Sequence, residues 1–310
     1  MLAAALLREQ GLQVLLLCFS TPFFSAQRAR QSSGHLGLPL REVDLTAHFL
    51  PLLQHPPHGF GRGHNPCIDC HLLMLRQAAA LLTQDGYQFL FTGEVLGQRP
   101  MSQNRGALNL IARESGLADL ILRPLSAKLL LPTTPELLGW VDRERLLDLS
   151  GRSRKRQIAL ARELGLTQYP APAGGCLLTD PHYAGRMKEL LQHDPAPARR
   201  DLELLQRGRH FRLAHGAKAI VGRTKSENEA ILALSIPEDL IVKTQDYPGP
   251  IVLLTAGASP VDRETAAGLA AAYSDAPEGV EVSVSLLLGQ EQRLLYLTKE
   301  SKGRFKEWLL

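Results

Sequence analysis

The chain has 310 residues, 45% of them hydrophobic and 21% charged, with a net charge of +4. That length is enough for two domains with sizeable cores, and the composition excludes a disordered, collagenous or disulfide-scaffold protein. The mild positive charge permits a nucleic-acid partner without demanding one, and four cysteines are too few for a secreted framework, so a reducing, cytoplasmic compartment is expected.

Met1–Gln10 reads as a helix stopped by Gly11, and Leu12–Phe19 as a buried strand with Cys18 as a core residue. Arg8, Glu9 and Gln10 interrupt this apolar start and no basic segment precedes it, so it does not read as a leader. No run reaches the ~18 uncharged apolar residues of a membrane helix. A domain that opens directly on a helix looks as though its first strand is absent. Ser20–Phe24 is a loop at a strand's C-terminal edge, where open parallel sheets bind ligands. Arg41–Leu45 is a short strand. Pro51–His64, rich in Pro, Gly and His, reads as a mobile loop over a site, its histidines being alternative metal ligands or RNA contacts.

Next comes Asn65-Pro66-Cys67-Ile68-Asp69-Cys70-His71. Pro66 suits a helix start, and thiols three positions apart then share one helix face. Thiols so placed can share a metal, a cluster or a disulfide. Cys67–Thr83 reads as that helix, ended by Gly86, and Gln88–Thr92 as a strand. Thr92–Gln103 is glycine-rich and polar, between a strand and a helix at Asn104–Glu114, where backbone amides meet a nucleotide in α/β folds. Within it Glu94 and Arg99 suit loop ion pairing as well as a substrate role. Ala118–Leu122 is a further strand running into Arg123–Lys128, whose two cations either hold phosphate or are simply solvated.

Thr134–Ser150 and Ser153–Leu164 read as helices, joined by a basic turn with Arg152, Arg154, Lys155 and Arg156. Such a run is a solvated face or an RNA phosphate contact. Tyr169–Thr179 is a loop carrying Cys176, and helices at His182–Gln192 and Pro197–Arg207 read as a connector. Beyond Gly208, strands are expected at Arg209–Leu213, Ala217–Val221, Leu240–Lys243, Ile251–Thr255, Val280–Leu287 and Arg293–Leu297. Helices at Lys225–Leu234 and Ser259–Tyr273 complete an α+β domain that ends in the basic run Lys299–Lys306. The expected plan is an α/β parallel-sheet domain over 1–180, truncated at its first strand, a helical connector over 181–207, and a smaller α+β domain over 208–310.

Thr92-Gly93-Glu94, Leu96-Gly97-Gln98, Ser102-Gln103, Arg123-Pro124-Leu125 and Lys128 together resemble the adenylating domain of tRNA 4-thiouridine synthetases. Asn65-Pro66-Cys67 with Cys70 is similar to the cysteine motif of tRNA 2-thiouridylases. Both belong to the PP-loop ATP-pyrophosphatase superfamily. The likeness covers roughly the first 180 residues and extends to Gly174-Gly175-Cys176-Leu177-Leu178-Thr179. From about Gly208 the chain resembles the RNA-binding domain of NFACT-type proteins, through Gly208-Arg209-His210, Gly222-Arg223 and Glu227-Asn228.

The resemblance implies ATP-dependent tRNA sulfurtransfer: a uridine carbonyl oxygen adenylated with ATP and Mg2+, and the AMP then replaced by sulfur. Carried over by position, Gly93, Glu94, Gln98, Ser102 and Arg123 would line the ATP pocket and Lys128 would meet phosphate charge. Cys67, Cys70 and Cys176 would deliver sulfur, taken from sulfide or a persulfide carrier, as a persulfide or through a 4Fe–4S cluster whose fourth iron is open. Zinc would want a fourth ligand, for which His64 and His71 are available. The family's Ser-Gly-Gly-x-Asp-Ser loop is absent, so this chain is expected to bind ATP poorly. The alternative is an RNA-binding protein with a degenerate catalytic domain.

Overall fold

The computed structural model describes residues 1–61, 63–169 and 175–310. They form two units, Met1–Asp180 and Pro181–Leu310.

In the first unit, α1 (Leu2–Glu9) buries Ala3, Ala4, Ala5, Leu6 and Leu7. It leads to β1 (Leu16–Ser20), α2 (Gln27–Leu36) and β2 (Leu40–Asp44), and β2 returns parallel to β1 from Leu16↔Leu40 to Ser20↔Asp44. α3 (Thr46–Gln54) covers part of the stretch expected as loop, with Pro51 inside it. α4 (Cys67–Asp85) ends at Gly86, whose φ of 74° is the left-handed cap that glycine adopts without strain. β3 (Leu90–Phe91) and β4 (Ile121–Leu122) form a second parallel pair, with α5 (Arg105–Glu114) between them. Asn104 caps α5 by accepting from Ala107 N at 2.9 Å.

The two parallel pairs are separate sheets. Between them lies a cavity of about 800 Å3, lined by Leu12–Leu17 and Phe19 on one side and Tyr87–Glu94 on the other.

The helix expected over 134–150 is not formed. α6 (Thr134–Leu137) lasts one turn, and Gly139, at φ 69°, turns the chain out of it. A 3-10 turn at Arg143–Arg145 follows. Arg143 holds the segment by pairing with Glu136 and donating to the carbonyls of Ala127 and Leu130. α7 (Lys155–Glu163) completes the main elements of the unit.

In the second unit, α8 (Pro181–His193) and α9 (Arg199–Leu204) are not a free connector. Glu189 of α8 binds Arg212 at 2.6 Å and Lys218 at 3.1 Å. The sheet comprises β5 (Arg209–Arg212), β6 (Lys218–Val221), β7 (Leu240–Thr244), β8 (Val252–Leu254), β9 (Glu281–Leu288) and β10 (Glu291–Thr298). Its order is β10-β9-β7-β8-β6-β5, antiparallel throughout. Alternation sorts the residues onto two faces. Val242, Val252, Val282, Val284 and Leu286 meet α11 (Pro260–Ala272), and Ile220, Leu253 and Leu204 meet Ile231 of α10 (Lys225–Leu234). Gly268 leaves room for Phe305, whose ring would be 3.0 Å from a Cβ there. The C-terminal residues close one sheet edge, with Leu309 bridging Phe211 and Leu310 N donating to His210 O at 2.9 Å. No helix among the described residues is long and apolar enough to cross a membrane.

Candidate functional site

The three patterned thiols come together through a crossing of three segments. α4 begins at Cys67, which puts Cys67 and Cys70 in its first turn. Cys176 arrives on a distant loop that is stitched in by its backbone. Leu177 N donates to Phe23 O at 3.0 Å, and His64 N donates to Leu178 O at 3.2 Å. Gly63 passes so close to Leu178 O that a Cβ would collide with it, and a Cβ at Gly61 would strike the Asn65 amide. Gly63 therefore admits the loop that carries Cys176, and Gly61 makes room for the Asn65 side chain. Ala173 and Gly174 of the expected motif, and Arg62 of the histidine-rich loop, lie outside the described residues.

Asn65 is the organiser that sequence reading passed over. It is buried, its Nδ2 donates to Cys67 Sγ at 3.1 Å, and its Oδ1 accepts from Gly63 N at 3.0 Å. The thiols are free and half-buried. Burial pushes the Cys70 thiol far above its ordinary range, and the charges of Cys176 and Cys67 add to this. Cys176 is pushed up to about 11 by burial first, with Cys67 adding to it, while a hydrogen bond with the Leu178 backbone and, less strongly, the Arg99 guanidinium pull it back. These mutual effects place the three sulfurs in one neighbourhood. Cys70 and Cys176 are thus protonated thiols at neutral pH, and engaging an electrophile or a metal releases their protons.

Three soft sulfur donors suit an iron–sulfur cluster with one open iron. Among the described residues, no three His, Cys, Asp or Glu side chains are placed to hold a single metal ion. Both histidines weighed as a fourth zinc ligand have one ring nitrogen engaged: His64 Nε2 lies 2.9 Å from Leu53 O, and His71 Nδ1 lies 3.0 Å from Glu94 Oε1.

Behind Cys70 stands a buried ionic cluster. Glu94 Oε2 accepts from Arg123 Nε and from Thr92 Oγ1, each at 3.0 Å, while Oε1 faces His71. Burial raises the Glu94 pKa, but His71 and Arg123 outweigh it and bring the carboxyl down to about 2. Arg123 also donates to Leu108 O at 3.3 Å. On the other side of the helix start, buried Asp69 accepts from His58 N at 3.1 Å and faces His58 Nδ1 at 2.7 Å. This hydrogen bond raises the His58 pKa. The two clusters fix the first turn of α4 to the loops on either side of it.

Four of the residues expected at an ATP site, Glu94, Gln98, Arg123 and Lys128, have their side-chain polar groups paired within the chain. Glu94 and Arg123 neutralise one another. Gln98 Nε2 donates to Gln157 Oε1 at 3.1 Å, and Ser102 is buried. Gly93 faces open space, so no close backbone approach requires glycine there. Lys128 Nζ binds Glu144 at the carbonyl oxygen, 2.7 Å away, and at Oε2, 3.2 Å away. Both expected phosphate-binding cations are paired with carboxylates, Arg123 with buried Glu94 and Lys128 with exposed Glu144. Arg99 does not pair with Glu94. It acts on Cys176 and on Arg154 of the basic turn, and Arg154 has its pKa lowered by burial first and then by Arg99.

In the second unit the motif residues form one structural knot. Gly208, at φ 63°, lies against the Val221 backbone, and Gly222 leaves space for Asn228, whose Oδ1 accepts from Ile251 N at 3.1 Å. Glu227 accepts from Arg223 N at 2.8 Å and pairs with the Arg223 guanidinium. That pairing first, opposed by partial burial, brings the Glu227 carboxyl down to about 2.

Residues 208–309 match the family described as the NFACT protein RNA binding domain. The second unit carries an NFACT-type RNA-binding domain. The match takes in the knot and the six-stranded sheet and stops short of the first unit. No curated protein matches the chain. Among solved structures, the C-terminal part of the fibronectin/fibrinogen-binding protein from Streptococcus suis is similar at 16% identity, over 78% of this chain and 94% of that one. Its TM-score is 0.31, a likeness that carries no argument.

Proposed function

We propose that the protein binds tRNA in the cytoplasm through its C-terminal unit. The observation that carries this reading is the NFACT RNA-binding domain at residues 208–309. The net charge of +4 agrees with a polyanionic partner. The test is fluorescence anisotropy of end-labelled tRNA against the full chain over a range of potassium chloride concentrations. Binding that weakens linearly on a log–log salt plot is expected. No binding at micromolar protein and low salt would overturn the reading.

A second reading adds sulfur transfer to the bound tRNA. It is favoured by the gathering of Cys67, Cys70 and Cys176. These thiols would hold a 4Fe–4S cluster or carry a persulfide, and Asn65 would steady the Cys67 sulfur. A bound cluster would supply an open iron for the incoming sulfide. The ATP half of the expected reaction has little support, because Arg123 and Lys128 are both paired with carboxylates. Protein purified anaerobically, with iron, zinc and sulfide analysis beside Cys176→Ala, tests this reading. Brown protein with about four irons, whose colour is lost in the variant, supports the cluster. A colourless wild type without iron removes it.

A further inference from the structure

The basic run at the end of the chain is not uniform once its side chains are placed. Arg304 pairs with Glu300. Lys299 turns inward and donates to the carbonyls of Ser274, at 2.9 Å, and Ala276. Lys302 instead lies over the ring of Tyr273, with Nζ 5.2 Å from the centroid. The same ring receives Arg209, whose Cζ is 5.0 Å from the centroid. Arg209 begins β5 and is positioned by its pairing with Val221. Tyr273 is the C-cap of α11 and packs edge-on against Phe211 at 6.1 Å.

Three cations from two distant parts of the chain, Arg209 on one and Lys299 and Lys302 on the other, thus meet at one helix end. Among the described residues no carboxylate forms an ion pair with any of them. Other cations of the unit have such partners: Arg212 and Lys218 with Glu189, Arg223 with Glu227, Arg200 with Asp239. Asp275 and Glu278 follow Tyr273 closely in sequence, yet neither pairs with the three cations. The helix C-terminus offers only about half a negative charge. The Tyr273 ring contributes only a weak quadrupole attraction. Neither balances three full charges. The site carries a local positive excess, and Lys302 is exposed on its outer side.

We propose that Arg209, Lys302 and Tyr273 form a seat for the phosphate backbone of RNA. The proposal rests on the RNA-binding reading and names where on the domain the contact is made. Tyr273 acts as a rigid spacer that sets the two cations apart, and Lys299 adds charge from beneath. Its ring is already occupied by cations, so this seat reads backbone rather than bases and is indifferent to sequence.

The test uses the full chain and end-labelled tRNA, followed by anisotropy across a salt series. Each phosphate contact contributes about 0.7–0.9 to the slope of log affinity against log salt. Arg209→Gln with Lys302→Gln is expected to lower that slope by about two contacts' worth and to weaken binding about tenfold near physiological salt. Lys302→Gln alone changes only an exposed side chain, so it tests the site even if the double variant folds poorly; its slope falls by about one contact. Arg209→Lys with Lys302→Arg keeps the charge and is expected to restore the slope. Lys243→Gln, an exposed lysine on the opposite face of the sheet, is expected to leave the slope unchanged. Wild-type protein that binds tRNA while both glutamine variants keep its slope would overturn the seat and leave the RNA-binding reading intact. Wild-type protein that binds no tRNA would overturn both.

Discussion

In the second unit the long-range connections are made by backbone. Six strands lie in one antiparallel sheet, apolar on both faces, with the C-terminal residues closing one edge. Among the described residues of the first unit no sheet exceeds two strands, and scattered backbone bonds between loops are joined by side-chain clusters that hold distant segments: His71–Glu94–Arg123, His58–Asp69, Arg143–Glu136 and Asn65–Cys67. A sheet distributes its stability over many equivalent bonds, whereas a side-chain cluster concentrates it at a few atoms. The first unit is therefore the more vulnerable to single substitutions, and its vulnerable atoms lie beside the thiols.

The largest expected contrast comes from the carboxylates. Glu94→Ala leaves Arg123 buried, charged and unpaired, which should cost about 3–5 kcal/mol. The two tryptophans, Trp140 and Trp308, lie one in each unit. Urea unfolding followed by Trp140 fluorescence in a Trp308→Phe background measures the first unit alone. Glu189→Gln in the second unit should cost less, about 1–2 kcal/mol. There Lys218, whose pKa burial already lowers, can shed its proton, and Arg212 keeps the Gly216 carbonyl as a partner. Equal losses in the two units would break the contrast.

Glycines sharpen it in the opposite direction. Gly208 combines φ 63° with a backbone neighbour where a Cβ would sit, so Gly208→Ala should cost the second unit about 2–3 kcal/mol. Gly139 has φ 69° but open space around it, so Gly139→Ala should cost only about 1 kcal/mol. Thermal denaturation of the two variants reads the difference.

Acid should separate the units as well. Burial holds the His210 pKa well below its ordinary 6.5. The folded second unit thus binds fewer protons than the unfolded chain, and its stability falls as pH drops below about 6.5. In the first unit the lowered Glu94 pKa gives stability that is present above the ordinary value of 4.5 and lost as pH falls from there toward 2. Fluorescence of single-tryptophan variants against pH is expected to show the second unit weakening first. The smallest effects should not distinguish the units. Asn104→Ala and Ser259→Ala each remove a helix N-cap and should each cost about 1 kcal/mol in chemical denaturation.

The same contrast explains what was legible in the sequence. Alternation and glycine breaks located the six strands of the second unit and the helix at Lys225–Leu234, because local pattern and final structure agree there. In the first unit α2 was missed, since it carries no apolar stripe and buries only Leu36. The helix expected over 134–150 ignored what Gly139 does to the chain. Cys67 and Cys70 are visible as a pair from spacing and Cys176 as a third candidate in its glycine-rich loop, while its shared role with them comes through resemblance. The partnership of Glu94 with His71 and Arg123 spans 23 and 29 residues and leaves no periodic trace. Nor does the meeting of Arg209 and Lys302 on Tyr273, since nothing local links a strand start to a chain end.

The cavity between the two parallel pairs has a kinetic consequence. With about 800 Å3 separating β1–β2 from β3–β4, no ladder carries cooperativity from one pair to the other. Amide protons of Leu16–Ser20, of Leu90–Phe91 and of Ile121–Leu122 should therefore be coupled only through the apolar cluster that Leu16, Phe91 and Leu122 share, and should exchange with solvent deuterium faster than those of the wide sheet. Those of the six-stranded sheet should be released together.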